Sequence, residues 1–265
     1  MTRLSVAAAR GDRRLGLGPR AWMFLGVVLI LALLEIGPRT GLIDSFTLPP
    51  LSLILIRAGQ LLVDQAFWLH HLGPSLLAIL LAFVFASVGG IVIGLILWRV
   101  PLLRRVFDPW LSIYYAIPTF ALYPLLVVVA GIGLVPVVLL GALLGIVSVI
   151  TSTLDGLDSI PRITIKLARA LQLSTTDYVF KILIPSTINQ IVVGLRLALS
   201  FCIIGVMASE FILSTYGLGH FISYAYDHFS LNDMYAGIVI VLVFALGVNA
   251  LFGLLLRGRS KRISP

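Results

Sequence analysis

The chain has 265 residues, of which 60% are hydrophobic and 11% charged, and its formal net charge is +8. A soluble domain is nearer half apolar and a quarter charged, so too few polar side chains are present to cover a water-exposed surface. The basic residues fall in short clusters between long apolar runs, which argues against the single basic face of a nucleic-acid-binding protein. The only cysteine, Cys202, can form neither an internal disulfide nor a cysteine metal cluster. The composition therefore predicts a chain that folds in a lipid bilayer.

Six apolar stretches are candidates for membrane-spanning helices, which need about 20 residues each. The first is short and carries Glu35 near its end, and it is followed by no small-residue cleavage site, so an uncleaved span is favoured over a signal peptide. A longer uncharged stretch is divided by a turn at Gly131 and Gly133. The stretch before the last holds Arg196 and Glu210 near its two ends. The expected spans cover residues 21–37, 76–98, 111–130, 132–152, 191–213 and 234–256.

The distribution of lysine and arginine predicts the orientation, because cytoplasmic loops carry the excess of these residues. With the N-terminus in the cytoplasm, all 19 basic residues except Arg39 and Arg57 fall in cytoplasmic parts. The sequence thus predicts an all-α integral membrane protein of the inner membrane with both termini inside. Its basic N-terminus covers residues 1–20, its transmembrane domain residues 21–256 and its basic tail residues 257–265.

A stretch of moderate hydrophobicity, residues 47–71, lies between the first two spans. Its apolar residues recur at helical spacing, with Arg57, Gln60 and Asp64 on the other side, which predicts an amphipathic helix at the outer surface. The apolar positions are Leu51, Ile54, Leu55, Ala58, Leu61 and Leu62. His70 and His71 follow, but neighbouring residues of a helix point about 100° apart, so this pair is not expected to bind a metal.

The longest hydrophilic stretch after the N-terminus is the loop of residues 154–190, between spans four and five. Pro161 is placed to begin a short helix, and its apolar face is expected to consist of Ile163, Leu167, Ala170 and Leu171. Ser174 or Thr175 is placed to cap a second short helix with Asp177 in its first turn. We expect Pro185 to end that helix before the chain re-enters the membrane. Two short helices here would form a projection that a partner protein can bind.

This loop resembles the "EAA" signature of binding-protein-dependent ABC importer permeases, in the nitrate/sulfonate/taurine branch. The signature reads Glu-Ala-Ala, then Gly, then Ile-x-Leu-Pro, where this chain has Lys166-Leu167-Ala168, Gln172 and Ile182-Leu183-Ile184-Pro185. Lys, Leu and Gln thus replace Glu, the first Ala and Gly. Because Gly would allow a turn with positive φ, we expect Gln172 to give different backbone angles or a longer first helix. Further matches in chain order are Arg104-Arg105, Asp108-Pro109, Ile117-Pro118, Gly131-Ile132-Gly133, Gly194-Leu195-Arg196, Glu210 and Gly217-Leu218-Gly219.

The resemblance implies a type I ABC importer permease that moves a small solute into the cytoplasm. Its partners would be two ABC ATPase subunits, a second permease (by default another copy of this chain), an extracytoplasmic solute-binding protein and membrane lipid, with no nucleic acid. ATP and Mg²⁺ would bind to the ATPases, and this chain, which lacks a phosphate-binding Gly-x-x-x-x-Gly-Lys-Ser/Thr loop, would be no enzyme and bind no cofactor or metal. The ATPase-coupling residues would be Lys166, Leu167, Ala168, Arg169, Ala170, Leu171, Gln172, Leu173 and Ser174.

The expected translocation path combines a proline-broken aromatic stretch in span three with residues of span five. Irregular backbone at membrane depth is tolerated where it lines a cavity, and an acid within a span usually faces an interior cavity or a partner. The residues are Tyr115, Pro118, Phe120, Tyr123, Met207 and Glu210. Two alternatives stay open: the aromatics can instead pack between helices, and Glu210 can instead bond to neighbouring helix ends. Gly89, Gly90 and Gly94 permit close helix contact, within the subunit or between subunits.

Two other functional classes fit this sequence less well. A secondary transporter or channel would need charged or discontinuous midplane sites, ideally in two symmetric halves, and the sequence shows no inverted repeat. An intramembrane enzyme would need a motif such as His-Glu-x-x-His or Gly-x-Ser-x-Gly, and neither occurs. The branch imports nitrate, sulfonates, taurine and related small organic compounds, and the sequence alone does not select among them.

Overall fold

The computed structural model describes the backbone of residues 19–260, and side chains within residues 21–254 apart from five in the loop of residues 162–176. The predicted basic stretch of residues 1–20 therefore lies outside the described residues except at its last two positions, as does the tail beyond residue 260. The described chain is helical, with five helices long and apolar enough to cross a membrane, or six if a bent pair counts as one. This confirms the all-helical membrane fold.

The chain divides after Leu53 into two compact units. The first contains α1 (Pro19–Arg39), which matches the first expected span and extends it slightly. The Glu35 carboxylate near its end accepts hydrogen bonds from the backbone N–H and the hydroxyl of Ser52 at 2.9 and 3.0 Å. It also pairs with Arg39 one turn on. The charge in this span is thus neutralised locally, at the end of the helix.

The second unit holds the remaining helices in the following order. These are α2 (Leu51–Val63, which begins in the first unit), α3 (Gly73–Arg99), α4 (Pro101–Ile113), α5 (Tyr123–Ala130), α6 (Leu134–Asp158), α7 (Arg162–Ala170), α8 (Thr175–Tyr178), α9 (Ile184–Leu213), α10 (Leu218–Asp227) and α11 (Leu231–Ser260). The helix α2 forms within the predicted amphipathic segment, with Ile54, Ala58 and Leu61 buried, whereas Leu55 and Leu62 are exposed. A π-helical turn, Trp68–Leu72, leads into α3. The helix α10 was not expected.

The centre of the second unit is α6, which packs along both α3 and α9. Small residues let these helices approach closely: a Cβ on Gly90 or Gly94 would collide with Val149 or Thr153 of α6. Gly141 of α6 lies against α9 in the same way. The glycines of span two therefore serve contact within the subunit, one of the two alternatives that the sequence left open.

The third expected span, residues 111–130, contains the break that the sequence predicted around Pro118. The helical segments Pro101–Ala116 and Thr119–Ala130 meet at 94°. The break lies at Ile117 and Pro118, where the backbone becomes extended at Ile117. A residue before proline is pushed out of the α region, and proline lacks the N–H that would continue the helix. The apolar run is long enough for a span, but its proline divides it.

Candidate functional site

The loop between α6 and α9 contains the short helix α7, as predicted, and a tight turn that leads into α8, which continues without a break towards α9. Ser174 caps α8, because its hydroxyl accepts a hydrogen bond from the backbone N–H of Asp177 at 3.1 Å. Lys181 lies one turn after Asp177 and its ammonium is 2.7 Å from that carboxylate. The hydrogen bond from Lys181, and after it a side-chain hydrogen bond from the Ser174 hydroxyl to the carboxylate, hold the pKa of Asp177 below its usual value. The second helix therefore begins at a defined residue.

The turn after α7 keeps the geometry of the glycine that the family signature has at this position. Gln172 adopts φ +49°, and the N–H of Leu173 bonds to the carbonyl of Ala168 at 3.2 Å. This is the six-to-one bond of a Schellman C-cap, in which the left-handed residue is usually Gly. The expectation of different angles or a longer helix was therefore wrong: Gln172 accepts the strained conformation, because the capping bonds satisfy carbonyls that would otherwise be free.

The helix α7 has an apolar face that nothing in the described protomer covers. Ile163, Leu167 and Leu171 are 72%, 57% and 63% exposed, and their spacing of four residues places them on one side of the helix. Ala168 is buried against the protein instead, so it anchors the helix rather than presenting a surface. Lys166 and Ala170 are exposed as well, while the side chain of Arg169 lies outside the described residues.

Contacts with α3, α4 and α6 hold the loop in place. Leu157, Ile160 and Leu183 form a buried apolar cluster against which Trp98 and Tyr178 pack. The Arg104 guanidinium of α4 donates to both carboxylate oxygens of Asp158 at the end of α6, a geometry that fixes orientation as well as distance. The ion pair therefore ties the start of the loop to α4, and the buried cluster joins the loop to the ends of α3 and α6.

Pro185 does not end a helix, which corrects the sequence prediction. The chain is helical from Thr175 to Leu213, with a π-helical segment at Val179–Leu183, and Pro185 lies in the first turn of α9. In the π-segment the N–H of Ile184 bonds to the carbonyl of Val179, five residues back. A wider turn before proline accommodates its missing N–H, so the helix continues into the membrane span.

The break between α4 and α5 presents aromatic side chains at the protein surface. Tyr115, Pro118 and Phe120 are exposed, and the ring of Tyr115 lies 5.6 Å from that of Phe201 on α9. Tyr123 is buried in the core shared by α3, α6 and α9, and Met207 is partly buried against it. The structure thus divides the expected path residues into an exposed group and a group inside the protomer, while their role in transport stays a prediction.

Glu210 joins three helices at the end of the protomer opposite the α7–α8 loop. Its carboxylate is 1% exposed, and it accepts hydrogen bonds from the Ser75 hydroxyl at 2.7 Å and from the Gly219 N–H at 3.0 Å. The Ser75 hydroxyl in turn accepts from the Leu218 N–H at 2.8 Å. Glu210 and Ser75 therefore cap the N-terminus of α10, the second alternative that the sequence left open. Gly217 at this corner has φ +99°, and a Cβ there would collide with the carboxylate.

The described residues contain no group of three or more His, Cys, Asp or Glu side chains that could hold a metal ion. His71 lies 3.2 Å from the carbonyl of Gly217, and its ring packs 5.5 Å from Phe67 and 5.1 Å from Phe221. This histidine therefore contributes to packing near the corner that Glu210 caps.

The model of one protein family, described as "Binding-protein-dependent transport system inner membrane component", matches residues 86–264, which is more than half of the chain. The chain belongs to this family. It is thus the inner-membrane permease subunit of an importer that works with a solute-binding protein and an ATPase, and the catalytic subunit is a separate protein. The matched residues include the bent helix pair, the α7–α8 loop and Glu210.

Individual relatives agree with this assignment. The chain is 31% identical to the taurine transport system permease protein TauC of Escherichia coli (strain K12), over 84% of this chain and 82% of that protein. It is 28% identical to the nitrate import permease protein NrtB of Leptolyngbya laminosa, over 72% and 68%. It is 26% identical to the putative aliphatic sulfonates transport permease protein SsuC of Bacillus subtilis (strain 168), over 90% and 85%.

A solved structure has the same fold. The protein superposes on a chain of the MetNI methionine ABC transporter, a crystal form titled as inward facing, with a TM-score of 0.61 at 20% identity. The match covers 74% of this chain and 95% of that chain. At this identity the likeness supports the helical arrangement and carries nothing about the solute.

Proposed function

We propose that this permease imports a small solute of the taurine, sulfonate or nitrate kind into the cytoplasm. The support is the agreement of three relatives whose names specify taurine, nitrate and aliphatic sulfonates. These solutes share a small oxyanion group. The proposal places both termini in the cytoplasm, because the basic clusters then lie inside. The α7–α8 loop then also lies inside, and the corner capped by Glu210 lies outside.

The loop from Lys166 to Ser174 is proposed as the site where the ATPase subunit binds. The single observation that carries this is the exposed apolar face of α7, formed by Ile163, Leu167 and Leu171. Apolar side chains facing water at one end of a membrane protein indicate a contact with another protein. The ion pair of Arg104 with Asp158 at the start of this loop, together with the packing of Trp98, connects the loop to α3, α4 and α6. A force applied to α7 is therefore transmitted to α3, α4 and α6.

The transport path is proposed to lie between two permease copies, each served by one ATPase subunit, since most oligomers repeat one subunit. Tyr115, Pro118 and Phe120 would form its wall, because non-helical backbone within the membrane is tolerated beside a cavity or buried in protein and these side chains are exposed. Tyr123, Met207 and Glu210 would support that wall from inside the protomer. A solute-binding protein would dock at the outer end, where α10 lies.

Growth of a deletion strain tests the solute class. Deleting the gene should abolish growth on taurine or an alkanesulfonate as sole sulfur source, or on nitrate as sole nitrogen source, and leave growth on sulfate plus ammonium unchanged. Restoring the wild-type gene should restore growth, whereas a Leu167→Asp gene should not. If the deletion strain grows normally on all three compounds, the solute proposal is wrong, while the family assignment is unaffected.

A further inference from the structure

A cavity of about 720 Å³ lies between the end of α3 and the α7–α8 loop. This volume is within the range of about 300–1,000 Å³ typical of small-molecule sites. On one side its wall is formed by Leu95, Ile96 and Trp98 of α3, and on the other by side chains of the loop that include Leu173 and Leu183. The cavity is therefore mostly apolar, and it opens at the level where the span α3 ends.

The polar side chains with charge or hydrogen-bonding groups in the lining include Arg99 on the α3 side and Gln172 and Tyr178 on the loop side. Arg104 is neutralised by Asp158, but among the residues that the structure describes no carboxylate pairs with the exposed Arg99. Arg99 thus places an unneutralised positive charge at the rim of an apolar cavity. The matching ligand has a negative head and an apolar body.

The outer side of α3 leads from the bilayer into this cavity. Phe85, Val88 and Val92 are exposed and continue at helical spacing into Leu95 and Ile96 of the cavity wall. An acyl chain can follow this apolar stripe without leaving the hydrocarbon. Trp98 sits next to Arg99, a pairing typical of the membrane interface.

We propose that this cavity binds an anionic phospholipid, with its phosphate at Arg99 and an acyl chain against Leu95 and Ile96. Basic pockets between helices on the cytoplasmic side are sites where anionic headgroups bind. Because one wall belongs to α3 and the other to the α7–α8 loop, the bound lipid holds the loop against the membrane domain. Binding of a lipid at this cavity does not depend on which solute is imported.

The tryptophan in the cavity wall provides a direct test. In a full-length variant with Trp22, Trp68 and Trp110 changed to Phe, the remaining fluorescence comes from Trp98. The protein is placed in phosphatidylcholine nanodiscs that contain increasing small fractions of either brominated phosphatidylglycerol or brominated phosphatidylcholine. We expect brominated phosphatidylglycerol to quench the fluorescence of Trp98 at a mole fraction about fivefold lower than that needed with brominated phosphatidylcholine. The reason is that one basic residue near the membrane surface contributes about 1 kcal/mol to binding of an anionic lipid.

Three substitutions decide whether the preference comes from the cavity. Arg99→Gln should abolish it and Arg99→Lys should keep most of it. Arg105→Gln removes an exposed basic residue of α4 that does not line the cavity, so it should change nothing. Equal quenching by the two lipids in the parent protein would overturn the proposal. So would a preference that survives in Arg99→Gln, or one that Arg105→Gln also abolishes.

Discussion

The exposed apolar face of α7 allows a quantitative prediction of how Leu167→Ala changes the affinity for the ATPase. Fully burying a leucine side chain contributes about 1.5–3 kcal/mol, and 57% of Leu167 is still exposed in the protomer. If the ATPase covers it, roughly 1–2 kcal/mol of the association free energy depends on this side chain. That corresponds to a loss of affinity of about 5- to 30-fold in Leu167→Ala. Leu167→Asp should lose more, because a charge is then buried without a partner.

The assay measures the affinity of the detergent-solubilised permease for the purified ATPase of the same importer. Leu213→Ala is the matched control, since this leucine is 46% exposed at the opposite end of α9. The control should bind as the wild type does. Alanine at Leu167, Ile163 or Leu171 should weaken binding while thermal stability stays within a degree or two. If all three variants bind within twofold of the wild type, the reasoning from the exposed face is refuted.

Three further changes test the packing. Gln172→Gly should stabilise the protein by about 1 kcal/mol, because a left-handed residue costs about 1–2 kcal/mol unless it is Gly; an unchanged or lower thermal midpoint would contradict the strained turn. Ser75→Ala should destabilise by about 1–3 kcal/mol, since it leaves the buried Glu210 carboxylate short of a donor; a midpoint equal to that of the wild type would show that the cap contributes nothing. Gly90→Leu should prevent the contact of α3 with α6 and lower the yield of monodisperse protein, whereas Gly247→Ala, where a Cβ meets nothing within 4 Å, should behave as the wild type.

Long uncharged runs made most of the spans predictable from sequence. The apolar runs that became α3, α6 and α11 exceed what one crossing needs and contain few competing signals. Their ends were less predictable: α9 begins at Ile184, seven residues before the expected start, because the helix continues from the loop through polar residues that hydropathy alone leaves outside the span.

Local signals were informative where one residue determines the geometry. Ser174 was identified as a helix cap from its type and position, and the structure has that hydrogen bond. Pro118 broke a span that its apolar composition favoured, and Pro185 failed to end a helix because the preceding π-segment accommodates it. A proline restricts the backbone at its position, but the neighbouring residues decide whether the helix breaks there or continues.

The role of Glu210 could not be derived from sequence, because its partners are distant in the chain. Ser75 is 135 residues away and resembles any other polar residue at the start of an apolar run. The short helix α10 was also missed, although the pattern of Gly217 followed by buried Leu218 and Ala225 at helical spacing was available as a signal. The structure around Glu210 and the start of α10 is determined by contacts between helices and not by the local sequence pattern.

The central claim is that this chain moves its solute only when a partner ATPase hydrolyses ATP. The most direct measurement is uptake of radiolabelled taurine, an alkanesulfonate or nitrate into proteoliposomes that contain the permease and its ATPase, with the solute-binding protein outside and ATP enclosed. We expect uptake of one of these solutes that requires ATP and the binding protein and is lost with Leu167→Asp. Uptake that proceeds without ATP and follows an imposed ion gradient would contradict the account and support a secondary transporter.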